Sequence, residues 1–136
     1  MQSNLKVMTI WHGKKGKKVT GGIIKIARKK RKYELGSSPL QTKLGKEKRI
    51  IKETKGGGIK LKASFAEFAN VLDPKTNQTK KVKILTVVET PSDPHLARRN
   101  IITKGCVIKT EIGNAKVTSR PSQHGIVNAL MIEEKK

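Results

Sequence analysis

The uneven spread of positive charge constrains this chain more than any other feature. Residues 1 to 62 carry 19 Lys/Arg against 3 Asp/Glu, and residues 63 to 136 carry 12 against 7. The formal net charge of the whole is +21. A solitary domain with that much like charge repels itself, and a polyanionic partner is the usual remedy. Two runs stand out in the first half, Lys14-Lys15-Gly16-Lys17-Lys18 and Arg28-Lys29-Lys30-Arg31-Lys32, with Thr20-Gly21-Gly22 between them.

An anionic membrane fits this pattern poorly. No apolar run approaches the roughly 18 residues needed to span a bilayer. The first eight residues lack the apolar stretch and small-residue site of a signal peptide. The basic segment is poor in the Trp, Phe and Leu that an interfacial helix needs on one face. Nucleic acid remains, in the cytoplasm or nucleus. The single cysteine, Cys106, permits no internal disulfide and fits a reducing compartment.

Apolar residues in the first third are few: Trp11, Val19, Ile23, Ile24, Ile26 and Ala27. They bury too little surface to offset the ordering of some forty residues. A helix over 23 to 33 is conceivable, but Arg28 and Lys32 would be like charges at i,i+4 spacing. Residues 1 to 40 therefore read as a basic, extended arm, disordered alone and ordered on nucleic acid. The plainer reading is a solvated basic tail or a localisation signal.

From about residue 47 the period becomes two. Ile59, Leu61, Ala63 and Phe65 alternate with polar residues; so do Val82, Ile84, Thr86 and Val88, then Ile108, Thr110 and Ile112, then Ala115, Val117 and Ser119. Ile126 to Ile132 is apolar on both faces, as in a central strand. Gly113-Asn114 signals a hairpin, Asp73 to Asn77 a turn, Gly56 to Gly58 a loop, and Pro121 to Gly125 the close of a strand. One short helix is predicted at 93–99, capped by Asp93 with Pro94 in its first turn. Several short antiparallel strands with such spacing predict an all-β fold, a small β-barrel-like domain over 41–136. Ile, Val and Leu would fill its core, with Phe65 and Phe68 as the only aromatics.

Signals for chemistry are missing. Gly13, Gly16, Gly21 and Gly22 do not make a phosphate-binding Walker loop. His12, His95 and His124 are scattered, and no Cys-x-x-Cys exists to hold zinc. Cys106 reads as a small buried filler. Four aromatics cannot build the stacking platform of a single-strand binder. Phosphate contact by Lys and Arg is what remains.

Trp11-x-Gly13, Thr20-Gly21-Gly22 and Lys29-Lys30-Arg31-Lys32-Tyr33-Glu34-Leu35-Gly36 form an ordered series. It continues with Asn70-Val71, Asp73-Pro74, Arg98-Arg99-Asn100-Ile101-Ile102-Thr103-Lys104-Gly105, Thr110-Glu111-Ile112-Gly113 and Val117-Thr118-Ser119-Arg120-Pro121. In order and spacing the chain resembles the archaeal and eukaryotic-type small-subunit ribosomal protein eight, in its compact archaeal form, from about Trp11 to Ile132. It departs from that pattern in about eight extra leading residues, in Ser122 where Gly is usual, in His124 for Asp, and in Cys106 for Ala.

The resemblance implies a barrel-like body on the small subunit and an arm threaded among helices of 16S-type ribosomal RNA. Its phosphate contacts would be Lys14, Lys15, Lys17, Lys18, Lys25, Arg28, Lys29, Lys30, Arg31 and Lys32. Thr20, Gly21 and Gly22 would let backbone approach RNA closely, or else form a plain flexible linker. Arg98, Arg99, Lys104 and Arg120 would be secondary contacts from the barrel, or solvated charges. Tyr33 would stack on a base or pack within the protein. The partners expected are ribosomal RNA and neighbouring small-subunit proteins in the cytoplasm, with no membrane, small-molecule substrate or homo-oligomer. No catalytic residue, metal or cofactor is expected beyond the Mg2+ of the RNA itself. A ribosome-assembly factor of the same fold is the alternative. A DNA-compacting protein or an RNA-modifying enzyme is a more distant one.

Overall fold

A computed structural model describes residues 9–14 and 16–132. The chain divides into two units, Met1–Pro39 and Leu40–Lys136.

In the first unit, β1 (Thr9–Trp11) pairs antiparallel with β2 (Leu35–Ser37), Trp11 opposite Leu35. No helix forms over 23–33; only a single 3-10 turn at Lys32–Glu34 precedes β2. Like charges at helical spacing leave that stretch without the internal support a helix needs.

The second unit is built on strands. They are β3 (Thr42–Leu44), β4 (Lys48–Glu53), β5 (Ile59–Ala66), β6 (Phe68–Asp73), β7 (Gln78–Glu89), β8 (Ile101–Ile102), β9 (Val107–Thr110), β10 (Asn114–Val117) and β11 (Asn128–Met131). Five close a barrel in the order β10–β11–β6–β7–β9, with β9 pairing back onto β10. The other four form a sheet in the order β4–β5–β3–β8. Two pairings run parallel rather than antiparallel: β11 with β6, and β3 with β5.

Ala69, Val71, Val82, Ile84, Val87, Ile108, Ala115, Val117, Val127 and Ala129 fill the interior with Cys106. A five-stranded ring is narrow, so small and β-branched side chains fit where large ones do not. No leucine is among the buried residues described, and Phe68 lies 41% exposed with Lys81 Nζ 4.8 Å from its ring centre. Burial pushes the Cys106 thiol up, so it stays protonated and apolar at neutral pH.

Turn chemistry places the strand ends. Asp73 accepts from the Lys75 N–H at 3.0 Å and from the Thr76 hydroxyl at 3.0 Å, closing the β6–β7 turn. Those bonds hold its carboxyl below the usual range. The predicted helix is α1 (Pro94–Arg98), where Asp93 accepts from the His95 N–H at 2.9 Å. A second short helix, α2 (Pro121–His124), forms where the sequence suggests only a turn. Pro121 starts it, and His124 Nδ1 accepts the Arg120 N–H at 3.3 Å. Ser122 lies inside α2 and has no positive φ, so glycine is not required there.

Three expectations from periodicity are corrected. Along β7 the register shifts between Ile84 and Thr86 and again between Val87 and Glu89. Val87 is therefore buried, while Val88 is 53% exposed. Asn100 supports this bulged stretch: its Oδ1 accepts from the Val87 N–H and the Thr86 hydroxyl, both at 3.2 Å. Ile112 is not in a strand; β9 stops at Thr110, whose N–H and hydroxyl both bond the Gly113 carbonyl. The β9–β10 turn thus falls on Glu111–Gly113, and Asn114 already pairs with Lys109. Finally, β11 has neighbours on both edges but buries one face, with Val127 and Ala129 inside and Leu130 41% exposed. In a closed ring every strand has two neighbours and still one outer face.

The β4–β5 hairpin is unlike the rest. Ile51 and Ile59 are each 67% exposed, and every residue of β4 is exposed. Cross-strand partners share a face, so Ile51 with Leu61 and Glu53 with Ile59 lie on one side, and Ile50 with Lys62 and Lys52 with Lys60 on the other.

Candidate nucleic-acid interface

The first unit is organised around its one described acidic residue, Glu34. Its Oε2 accepts from Trp11 Nε1 at 2.7 Å and from the Arg31 N–H at 3.2 Å; its Oε1 accepts from Arg28 Nη2 at 2.7 Å. The indole of Trp11 lies over Gly13 so closely that a Cβ there would sit 2.0 Å from the ring. This close approach explains the Trp-x-Gly spacing. Lys30 Nζ stands 5.5 Å from the Trp11 ring centre, and the Arg28 guanidinium 5.5 Å from that of Tyr33. Trp11, Gly13, Lys14, residues 24–28 and Glu34 together line a shallow cleft of about 230 Å³.

Chiefly the Trp11 N–H, then the Arg31 N–H, holds the Glu34 carboxyl below its ordinary value. A depressed carboxylate contributes stability above its unfolded pKa and loses it as pH falls through the folded one. The Trp11–Glu34 contact is therefore complete at neutral pH and is released in acid, below the ordinary Glu range. Trp11 is the only tryptophan, so its emission reports this directly. Acid titration of the intact protein is expected to red-shift Trp11 emission, and Glu34→Gln is expected to abolish that step. An identical acid step in both proteins would show that Glu34 does not hold the indole.

Thr20-Gly21-Gly22 is not a plain linker. Lys17 and Ile23 form an antiparallel bridge. The Gly21 N–H bonds the Lys18 carbonyl at 2.9 Å, and the Lys18 N–H bonds the Gly22 carbonyl at 2.7 Å. The tip needs φ of +85° at Gly21, which an L side chain resists. Val19, at this tip, is fully exposed.

Among the described residues, every other predicted contact in this unit also lies at the surface. Lys14, Lys17, Lys18, Lys25, Lys29, Lys30, Arg31 and Lys32 are exposed. Arg28 is exposed too, but engaged with Glu34. Lys15 lies outside the described residues. In the second unit Arg98, Arg99, Lys104 and Arg120 are exposed. They come from separate elements: Arg98 ends α1, Lys104 precedes β9, and Arg120 leads α2. Sequence reasoning missed Glu34 as an organiser. Its signal was a lone acid amid cations, 23 residues from the only tryptophan.

Among the described residues no three His, Cys, Asp or Glu side chains gather as a metal site requires. The family model of ribosomal protein S8e matches residues 11–132. The small ribosomal subunit protein eS8 of Sulfurisphaera tokodaii is 51% identical over 128 residues, which is 93% of this chain and 100% of that protein. That of Ignicoccus hospitalis is 52% identical over 130 residues, 94% of this chain and 100% of that protein. That of Methanospirillum hungatei is 46% identical over 123 residues, 90% of this chain and 98% of that protein. Likeness of this extent, over the span in which the ordered motifs occur, makes this chain a member of the ribosomal protein S8e family.

Proposed function

We propose that this chain is a structural constituent of the small ribosomal subunit that binds ribosomal RNA through phosphate contacts and catalyses no reaction. The observation carrying this is the row of exposed cations at Lys14, Lys17, Lys18, Lys25, Lys29, Lys30, Arg31 and Lys32 around a single carboxylate. Such a surface releases counterions when phosphates replace them, which supplies affinity without base-specific contacts. The names of the relatives supply the subunit.

Residues 1 to 40 act as the RNA-binding arm, and residues 41 to 136 form the barrel domain. Lys15 belongs to the same contact set. A three-pair ladder, one bridge and the Glu34 contacts are modest support for so charged a segment, and a lone two-stranded pairing is marginal in water. RNA then completes the ordering. Arg98, Arg99, Lys104 and Arg120 contribute further contacts, and neighbouring small-subunit proteins complete the surroundings. Mg2+ enters only with the RNA, and the setting is cytoplasmic.

Sucrose-gradient sedimentation separates this from an assembly role. A structural constituent stays one-to-one with mature small subunits after a high-salt wash. Enrichment on immature particles and loss from mature ones would make the chain an assembly factor instead.

A further inference from the structure

On the reading that this chain binds ribosomal RNA, we infer that the β4–β5 hairpin is a second RNA-binding element. Its basic face, Lys52, Lys60 and Lys62, lies along a sugar–phosphate backbone. These lysines were not among the contacts expected from the sequence.

The register supports the assignment. Lys52 stands opposite Lys60, and Lys62 opposite Ile50. Lys48 is not counted with them, because the register shifts between Lys48 and Arg49 and alternation does not carry across that step. Lys52, Lys60 and Lys62 share one face; Glu53 is on the opposite face, and Glu47 is bonded to Arg49. Same-face neighbours on a strand are about 7 Å apart and adjacent strands about 5 Å. This grid is comparable with the step between successive phosphates. Two lysines directly opposite each other cost stability in an isolated ladder, and an anion between them reverses the sign.

The hairpin has only part of the cover that a sheet normally has: Gly125, just after α2, lies against Leu61, while Ile51 and Ile59 stay exposed. Only Phe65 and Ala66 of β5 pair with β3, so residues 59–62 belong to a two-stranded ribbon. Such ribbons are marginal alone, and this one exposes apolar as well as basic residues. Gly56 and Gly57 at its tip both have positive φ and nothing within 4 Å of where a Cβ would be. The tip backbone is therefore open to close approach by a partner. β-ribbons of this kind are a known way to enter a nucleic-acid groove, and duplex RNA is held mostly by phosphate and ribose contacts.

The test is a salt titration of full-length protein on a 16S-type ribosomal RNA transcript. Changing Lys52, Lys60 and Lys62 to Gln is expected to reduce the log–log slope by about 2. Changing Lys75, Lys109 and Lys116 to Gln, the same charge removed elsewhere, is expected to leave it within about 1 of wild type. Should the threefold hairpin variant fail to fold by circular dichroism, K60Q/K62Q is expected to reduce the slope by about 1.5. A hairpin variant that titrates like wild type overturns the inference while leaving the arm's role intact. Weakened incorporation into subunits with an unchanged RNA slope also overturns it, pointing to an acidic protein partner. A wild-type chain without a steep slope removes the RNA-binding reading itself and the hairpin's role with it.

Discussion

Changing Lys14, Lys17, Lys18, Lys25, Lys29, Lys30 and Lys32 together to glutamine is expected to reduce the salt slope of ribosomal RNA binding by about 5 to 6. Each neutralised phosphate contributes about 0.7 to 0.9 to that slope. Some ten arm contacts would therefore give about −7 to −9. A protein with so many contacts loses about 10³- to 10⁵-fold in affinity between 50 and 200 mM salt. The variant should lose far less over the same range, having begun from weaker binding. Arg28 is left in place because its guanidinium bonds Glu34, and Arg31, which bonds Glu34 through its backbone N–H, is kept beside it. The Trp11–Glu34 contact is thus preserved and charge alone is removed. Filter binding across that salt range measures the effect. Parallel titrations of the two proteins would mean that the arm does not engage phosphate.

Ile108→Ala is expected to cost about 2–5 kcal/mol of stability. Ile108 is wholly buried in the barrel, amid Val and Ala neighbours. Its loss leaves a cavity that a closed ring cannot collapse to fill. Since total domain stability is about 5–15 kcal/mol, this is a large fraction. Val88→Ala is the informative contrast, because simple alternation makes Val88 a core residue. At 53% exposed, it is expected to change stability by less than about 0.5 kcal/mol. Urea unfolding of both variants measures the pair. A Val88→Ala cost matching that of Ile108→Ala would mean that the β7 bulges are not as described.

The barrel was legible where local chemistry dictates it. Asp73 with Pro74 announces the β6–β7 turn, and Asp93 with Pro94 announces α1. Alternation finds β5, β9 and β10 to within a few residues. What alternation cannot carry is a change of phase. The two shifts in β7 exchange Val88 for Val87, and their support, Asn100, lies more than ten residues away. The parallel β11–β6 pairing joins segments whose likeness to each other is not written in either. The amphipathic β4–β5 ribbon was hidden for a related reason. Lys48-Arg49-Ile50-Ile51-Lys52 alternates in neither polarity nor size, and only the partner strand reveals two faces. In the arm, the cations were legible as a charge count. The small hairpin at Gly21 and the role of Glu34 depend on geometry that composition does not encode.

The parallel seam between β6 and β11 bears on the order in which the molecule matures. Asn70 and Asn128 meet across it although 58 positions separate them. Until residues 128–131 leave the ribosome making them, β6 and β10 are raw edges that nothing in the chain can seal. The cation-rich segment emerges long before that. Vectorial synthesis therefore offers that segment to solution while the body is still open.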